Sequence, residues 1–114
     1  MVAVSKERNV CSVMILECLG RQAAGKGKQT LNDRVQALLA EGRILLLVDL
    51  SQVSNIYSED ISALVRTFVS TRTRGGKLKL LKLSPRVRQV LEATRLFNVL
   101  EAFDEESAAI ASFE

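Results

Sequence analysis

The sequence predicts an α/β fold, a mostly parallel central β-sheet with an N-terminal hairpin and about four helices. Two observations carry this. Apolar runs of strand length alternate with segments whose apolar residues recur at helical spacing, and the connections between them are short. The run Ile44 to Leu50 (ILLLVDL) is apolar almost throughout, as suits an interior strand covered on both faces.

Val2 and Val4 flank Ala3 in a short extended opening, and Lys6 to Asn9 reads as a polar turn. Val10 to Leu19 (VCSVMILECL) is a β-rich run bounded by Gly20, so the first two strands should pair as a hairpin. Arg21 to Gln29 is a polar, glycine-bearing loop. Thr30 is a candidate N-cap, followed by Leu31, Val35, Leu38 and Leu39 on one helical face, with Gly42 where that helix should stop.

After the strand Ile44 to Leu50, Val53 to Tyr57 forms a linker. Ile61, Leu64, Val65 and Phe68 mark a second helical stripe, with Arg66, Arg72 and Arg74 mostly off it. Gly75 and Gly76 break this helix before Lys77 to Leu83 (KLKLLKL), a further central strand. Ser84 and Pro85 open a third helix as N-cap and first-turn proline, with Val87, Val90, Leu91 and Thr94 on its stripe. Asn98 to Phe103 is the expected last strand, and Asp104 the cap of a terminal helix running toward Phe113.

With 114 residues and no internal repeat, low-complexity tract or linker, residues 1–114 are expected to be one domain. Hydrophobic residues make up 47% and aromatic ones only 4%, so the core must be aliphatic. Sixteen basic against 13 acidic side chains leave a formal charge of +3, too small and too spread to argue for a polyanionic partner. No run of 18 apolar residues is present to insert in a membrane, and MVAVSKERNV is charged too early for a secretory signal. A cytoplasmic location follows as the expectation.

Cys11 and Cys18 fall in one apolar run. An extended strand would hold them more than ~20 Å apart, beyond disulfide reach. Both are expected to be buried thiols in a reducing compartment. Histidine is absent, which removes the commonest general base and the commonest zinc ligand, so no catalytic residue, metal or cofactor is expected.

Gly20 to Lys26 (GRQAAGK) satisfies the first seven positions of a phosphate-binding P-loop, and Asp49 could stand for the acidic strand residue that positions magnesium. The eighth position is Gly27, where that chemistry needs a serine or threonine hydroxyl. Thr30, the expected helix start, also comes four residues beyond Lys26, so the loop would not lead straight into a helix N-terminus. A water-exposed glycine-and-lysine loop is the better account, and the chain is not expected to be an enzyme. The basic residues Arg72, Arg74, Lys77, Lys79, Lys82, Arg86 and Arg88 cluster in sequence but lack interleaved aromatics for base stacking. They read as a solvated rim, with no nucleic-acid partner.

From Val48 onward the motifs VDLSQVSNIYSEDISALV, RGGKLKLLKLSPRVRQVLEATRL and LFNVLEAF occur in order. Together with CLGRQ and LNDRVQALLAEG upstream, they resemble the STAS domain of bacterial anti-sigma factor antagonists over almost the whole chain. The family pattern is a strand ending in Asp-Leu-Ser, a linker, Asp-Ser-Ser-Gly opening a helix, a double-glycine turn into a strand, then Ser-Pro, a helix and a Gly-Leu end. Asp49-Leu50-Ser51, Gly75-Gly76 and Ser84-Pro85-Arg86-Val87 match it in order and spacing.

In that family the second serine of Asp-Ser-Ser-Gly is phosphorylated by a kinase that doubles as the anti-sigma factor. The unphosphorylated domain binds that kinase and frees the sigma factor. The resemblance therefore implies a transcription-regulating, partner-switching module, with an anti-sigma factor serine kinase or related regulator as partner and room for a homodimer. Laid on the pattern, Tyr57 takes the place of the aspartate, Ser58 the first serine, Glu59 the phosphorylated serine and Asp60 the glycine. Asp49 keeps the acid at the neighbouring strand end, and Arg95 replaces the glycine that closes the third helix.

The candidate site implied by this resemblance is thus Tyr57, Ser58, Glu59, Asp60 and Asp49, a degenerate phosphosite that faces the partner. Glu59 cannot accept phosphate; it carries a fixed charge of about −1, a partial mimic of the modified serine. A plainer account stands beside it: Ser58 as N-cap with Glu59 and Asp60 in the first turn is ordinary helix-dipole practice. Two other roles stay open. The acceptor could have moved to Ser58, or the chain could be a structural STAS subunit of a larger assembly, such as a stressosome-like scaffold or a lipid-transport complex.

Overall fold

The computed structural model describes residues 3–20 and 30–113. The P-loop-like segment beyond Gly20, including Lys26, Gly27 and the expected 21–29 loop, lies outside them. Strands β1 (Ala3–Val10) and β2 (Val13–Leu19) form the antiparallel hairpin. Its turn is Cys11-Ser12, not the polar Lys6 to Asn9. Both turn residues have left-handed φ, 51° and 68°, the combination that matches the twist of a two-residue hairpin. One apolar run therefore holds the end of one strand, a turn and a whole second strand. It also follows that Cys11 is exposed and only Cys18 is buried, against the expectation for both; the thiols are free.

Helix α1 (Leu31–Ala40) leads to β3 (Leu45–Gln52), α2 (Ser58–Thr73) to β4 (Lys77–Leu81), and α3 (Pro85–Ala93) with a 3₁₀ turn (Leu96–Asn98) to β5 (Ala102–Phe103). Helix α4 (Glu106–Ala111) ends the described chain. The five strands lie in the order β1-β2-β3-β4-β5, with every pair after the hairpin parallel. Parallel connections cross over right-handedly. Strands laid down in sequence order therefore send all three crossover helices to one face of the sheet.

The packing agrees. Leu16, Leu46, Val48, Leu78 and Leu80 join Val35, Leu38, Leu64, Val87 and Leu91 in one large cluster beneath α1, α2 and α3. The alternate strand residues Val13, Ile15, Leu47 and Leu81 pack with Ala109 and Phe113 of the α4 end on the other face.

The expected caps hold: the Thr30 hydroxyl accepts from Asp33 N–H at 3.2 Å and that of Ser84 from Val87 N–H at 3.3 Å. At the far end of α2, Gly75 (φ 78°) and Gly76 donate to the carbonyls of Arg72 and Thr71, both at 2.9 Å. This is a Schellman closure. Gly76 is required for space, since a Cβ there would lie 2.2 Å from the Ile44 carbonyl oxygen.

Several expectations need correction. The buried face of α2 runs through Asp60, Leu64, Thr67 and Thr71, while Val65 is 39% exposed. The threonines satisfy their own hydroxyls, Thr67 on the Leu64 carbonyl (2.9 Å) and Thr71 on the Thr67 carbonyl (2.7 Å), which leaves methyl groups to pack. The last strand is only Ala102–Phe103, because Val99 and Leu100 donate back to the Leu96 carbonyl and curl the chain. The terminal helix is capped at Glu105, not Asp104. Lys79 is no part of a solvated rim: it is buried, its ammonium donating to the Ser112 carbonyl and hydroxyl oxygens, each at 3.0 Å.

Candidate functional site

The candidate residues gather around the C-terminal end of β3 and the start of α2. Asp49 is buried and its carboxylate accepts from Ser51 N–H at 2.9 Å, where the pairing of β2 with β3 shifts register before β3 ends at Gln52. The linker is anchored by the buried side chains of Val53 and Ile56. The Ser84 hydroxyl donates to the Val53 carbonyl at 3.1 Å, tying the start of α3 to this linker.

Tyr57, not Ser58, is the N-cap of α2, extended at φ −119° and ψ 174°. Ser58 and Glu59 are the first and second helical residues and both are exposed; Tyr57 is 42% exposed beside them. Asp60 differs. It is buried at the third position, and its carboxylate accepts from Tyr57 N–H at 2.9 Å. The five residues thus split into an outward group, Tyr57, Ser58 and Glu59, and a buried pair, Asp49 and Asp60, that shapes the chain on either side of the linker.

A cleft of about 480 Å³ lies beside this start, between α1 and α2. Glu59, Ser62 and Arg66 line it from α2 and Thr30, Asn32 and Asp33 from α1. Sequence reasoning missed Asp33, Ser62 and Arg66, because nothing in the pattern told which side of α2 would meet α1. The Gln36 amide donating to the Ser70 hydroxyl at 2.9 Å fixes that pairing. Tyr57, Val65 and Val69 are exposed apolar side chains at the start and along the outer side of α2, whereas the sequence places Val65 on the buried stripe. Among the described residues no cluster of acids and cysteines could hold a metal ion, and no helix is long and apolar enough to cross a membrane.

The STAS domain family model matches residues 23–109. This chain belongs to the STAS domain family. No curated protein matches its sequence significantly. Solved structures do match. A candidate anti-sigma factor antagonist from Thermotoga maritima, TM1081, superposes with a TM-score of 0.78 at 23% identity, covering 95% of this chain and 92% of that one. An anti-sigma factor antagonist from Mycobacterium paratuberculosis gives 0.78 at 15% identity, over 99% of this chain and 94% of its own. The Bacillus cell fate determinant SpoIIAA, in its phosphorylated form, gives 0.66 at 16% identity, over 94% and 97%. At these identities the likeness is one of fold. The STAS sheet, hairpin and four helices expected from the sequence are all present.

Proposed function

We propose that this STAS domain is a cytoplasmic, non-enzymatic regulatory module of the anti-sigma factor antagonist kind, which docks a protein partner through the start of α2. The observation that carries this reading is Glu59: an acid exposed at the second position of α2, between exposed Tyr57 and the cleft shared with α1. A negative charge is favoured there by the helix N-terminus, as a phosphate on serine would be. Glu59 therefore supplies part of the charge of a phosphorylated serine without the ability to lose it. The chain acts as a partner-switching module held in one state, with a serine kinase of the anti-sigma factor type as the partner it has stopped cycling with.

The test is capture of ATP-binding serine kinases from the native cytosol with wild type and Glu59→Ser, followed by phosphate transfer from the recovered kinase. Kinase binding by the variant alone, with phosphate incorporated at its substituted position, supports the reading. Equal recovery of the same assembly subunits by both proteins, with no phosphate incorporated, points instead to a structural subunit of a larger complex. That second reading is favoured by the same fixed charge, since a static contact needs no cycle. Phosphate found on Ser58 of the wild-type protein would relocate the switch by one residue and remove the fixed-state account.

A further inference from the structure

About 20 Å away along the α2 axis, at the N-terminal end of β4, the sheet edge is incomplete. Strand β5 pairs with β4 only at Leu80 and Leu81. Among the described residues no strand covers the outer edge at Lys77 to Lys79. Lys77 N–H donates inward to the Ile44 carbonyl at 2.9 Å, whereas Leu80 N–H and Lys82 N–H donate outward to the carbonyls of Glu101 and Phe103, each at 2.8 Å. Ladder bonds alternate along a strand, so the N–H and C=O of Leu78 face the same outer side.

What lies there is an open cleft of about 430 Å³. Its walls are Phe68 and Arg72 of α2, Lys77 to Lys79 of β4, Val99 and Glu101 on the incoming chain, and Ser112. The charge is one-sided: the exposed cations Arg72 and Lys77 and the enclosed Lys79 stand beside one acid, Glu101. That acid is 66% exposed and only 3.7 Å from the Lys79 ammonium, a loose pair. Val99 is 52% exposed at the mouth.

We propose that this slot binds an extended segment of a partner protein as an added strand, with acidic residues alternating with apolar ones. The alternation comes from the sheet. Leu78 faces the α1–α3 layer, so the added residue opposite it meets Phe68 and Val99. Lys77 and Lys79 face the α4 side, where the Lys79 ammonium is enclosed against Ser112 and the exposed Lys77 ammonium meets the neighbouring added residue. Backbone pairing to Leu78 supplies the fixed part of the recognition, and the charges select the segment. This surface is separate from the start of α2, so its test is independent of what Glu59 does.

The test titrates acetyl-Glu-Val-Glu-Val-Glu-amide into the ¹⁵N-labelled full chain. The expected result is a saturable shift of the Leu78 amide, weakened about tenfold by Lys77→Glu or by Arg72→Glu, both exposed positions that leave the fold intact. Glu101→Gln should tighten it by removing the competing acid. N-methylation of alternate peptide residues should abolish binding in one phase and spare it in the other, as a one-sided ladder requires. No saturable shift at millimolar peptide overturns the proposal. So does equal binding in both methylation phases, or the same shift produced by sodium phosphate or acetate, which would mark a small-anion pocket. A Leu78 shift that follows protein concentration without peptide would mean that a second copy of this chain fills the edge, and also overturns it.

Discussion

The carboxylate of Asp60 accepts the backbone N–H of Tyr57 at 2.9 Å, so the third residue of α2 closes the first turn of that helix from inside. Glu59 is held in place by that bond: the chain before it is fixed by capping and the residue after it by burial. Asp60→Ala should cost about 1–2 kcal/mol in urea unfolding, the loss of a buried cap, whereas Asp60→Asn keeps an acceptor oxygen and should cost less. Equal losses for the two would show that this hydrogen bond is not what secures the helix start.

Helices α1 and α2 both end on a glycine with left-handed φ, Gly42 at 84° and Gly75 at 78°. The equivalent residue after α3 is Arg95, at φ 60°. A side chain in that conformation costs roughly 1–2 kcal/mol, and glycine gives back somewhat less through the freedom of the unfolded chain. Arg95→Gly should therefore stabilise the protein by about 0.5–1 kcal/mol, read as a higher melting temperature. A lower one would mean that the Arg95 side chain makes a compensating contact.

The Arg8 guanidinium bridges the hairpin to α4, donating to Glu17 at 2.8 Å and to Glu106 at 2.6 Å. The hydrogen bond from Arg8 holds the Glu106 carboxyl below its ordinary value of 4.5. A depressed carboxylate contributes stability above its unfolded pKa and loses it as the pH falls through the folded one. The pair is about a third exposed, so its worth is about 1 kcal/mol or less. Between pH 7 and pH 3 the wild type should lose more stability than Glu106→Gln, and the two melting curves should converge at the acid end. Parallel curves across that range would assign the bridge no role.

Cys11 is exposed at the hairpin tip, while burial, and then the nearby charge of Asp49, push the Cys18 thiol up to about 12. At pH 8 a maleimide should label Cys11 rapidly in the native protein and Cys18 only on unfolding. Labelling of both at similar rates would show that the hairpin opens in the folded state.

Much of this molecule is local in origin. Thr30 and Ser84 signal helix starts, Gly42, Gly75 and Gly76 signal helix ends, and Ile44 to Leu50 a covered strand; each depends on a few adjacent residues, and each is found in the structure. The Asp49-Leu50-Ser51 and Ser84-Pro85 motifs were legible for the same reason. The turn at Cys11-Ser12 was not: a hairpin inside an apolar run shows no change of composition, and only cross-strand pairing decides where the chain reverses. Nor could the sequence tell that Thr67 and Thr71 lie inside while Val65 lies outside. Helical spacing defines a face but not which face, and that choice falls to how α1 and α2 meet. Lys79 alternates with leucine like Lys77, yet one ammonium is enclosed beside Ser112 and the other is exposed, because α4 covers only part of its face of the sheet. The sequence alone determined the order of elements and the acid at Glu59. The tertiary structure alone decided that Asp60 turns inward and that, among the described residues, the outer edge of β4 is paired only at Leu80 and Leu81, since burial and strand pairing are set by residues far apart in the chain.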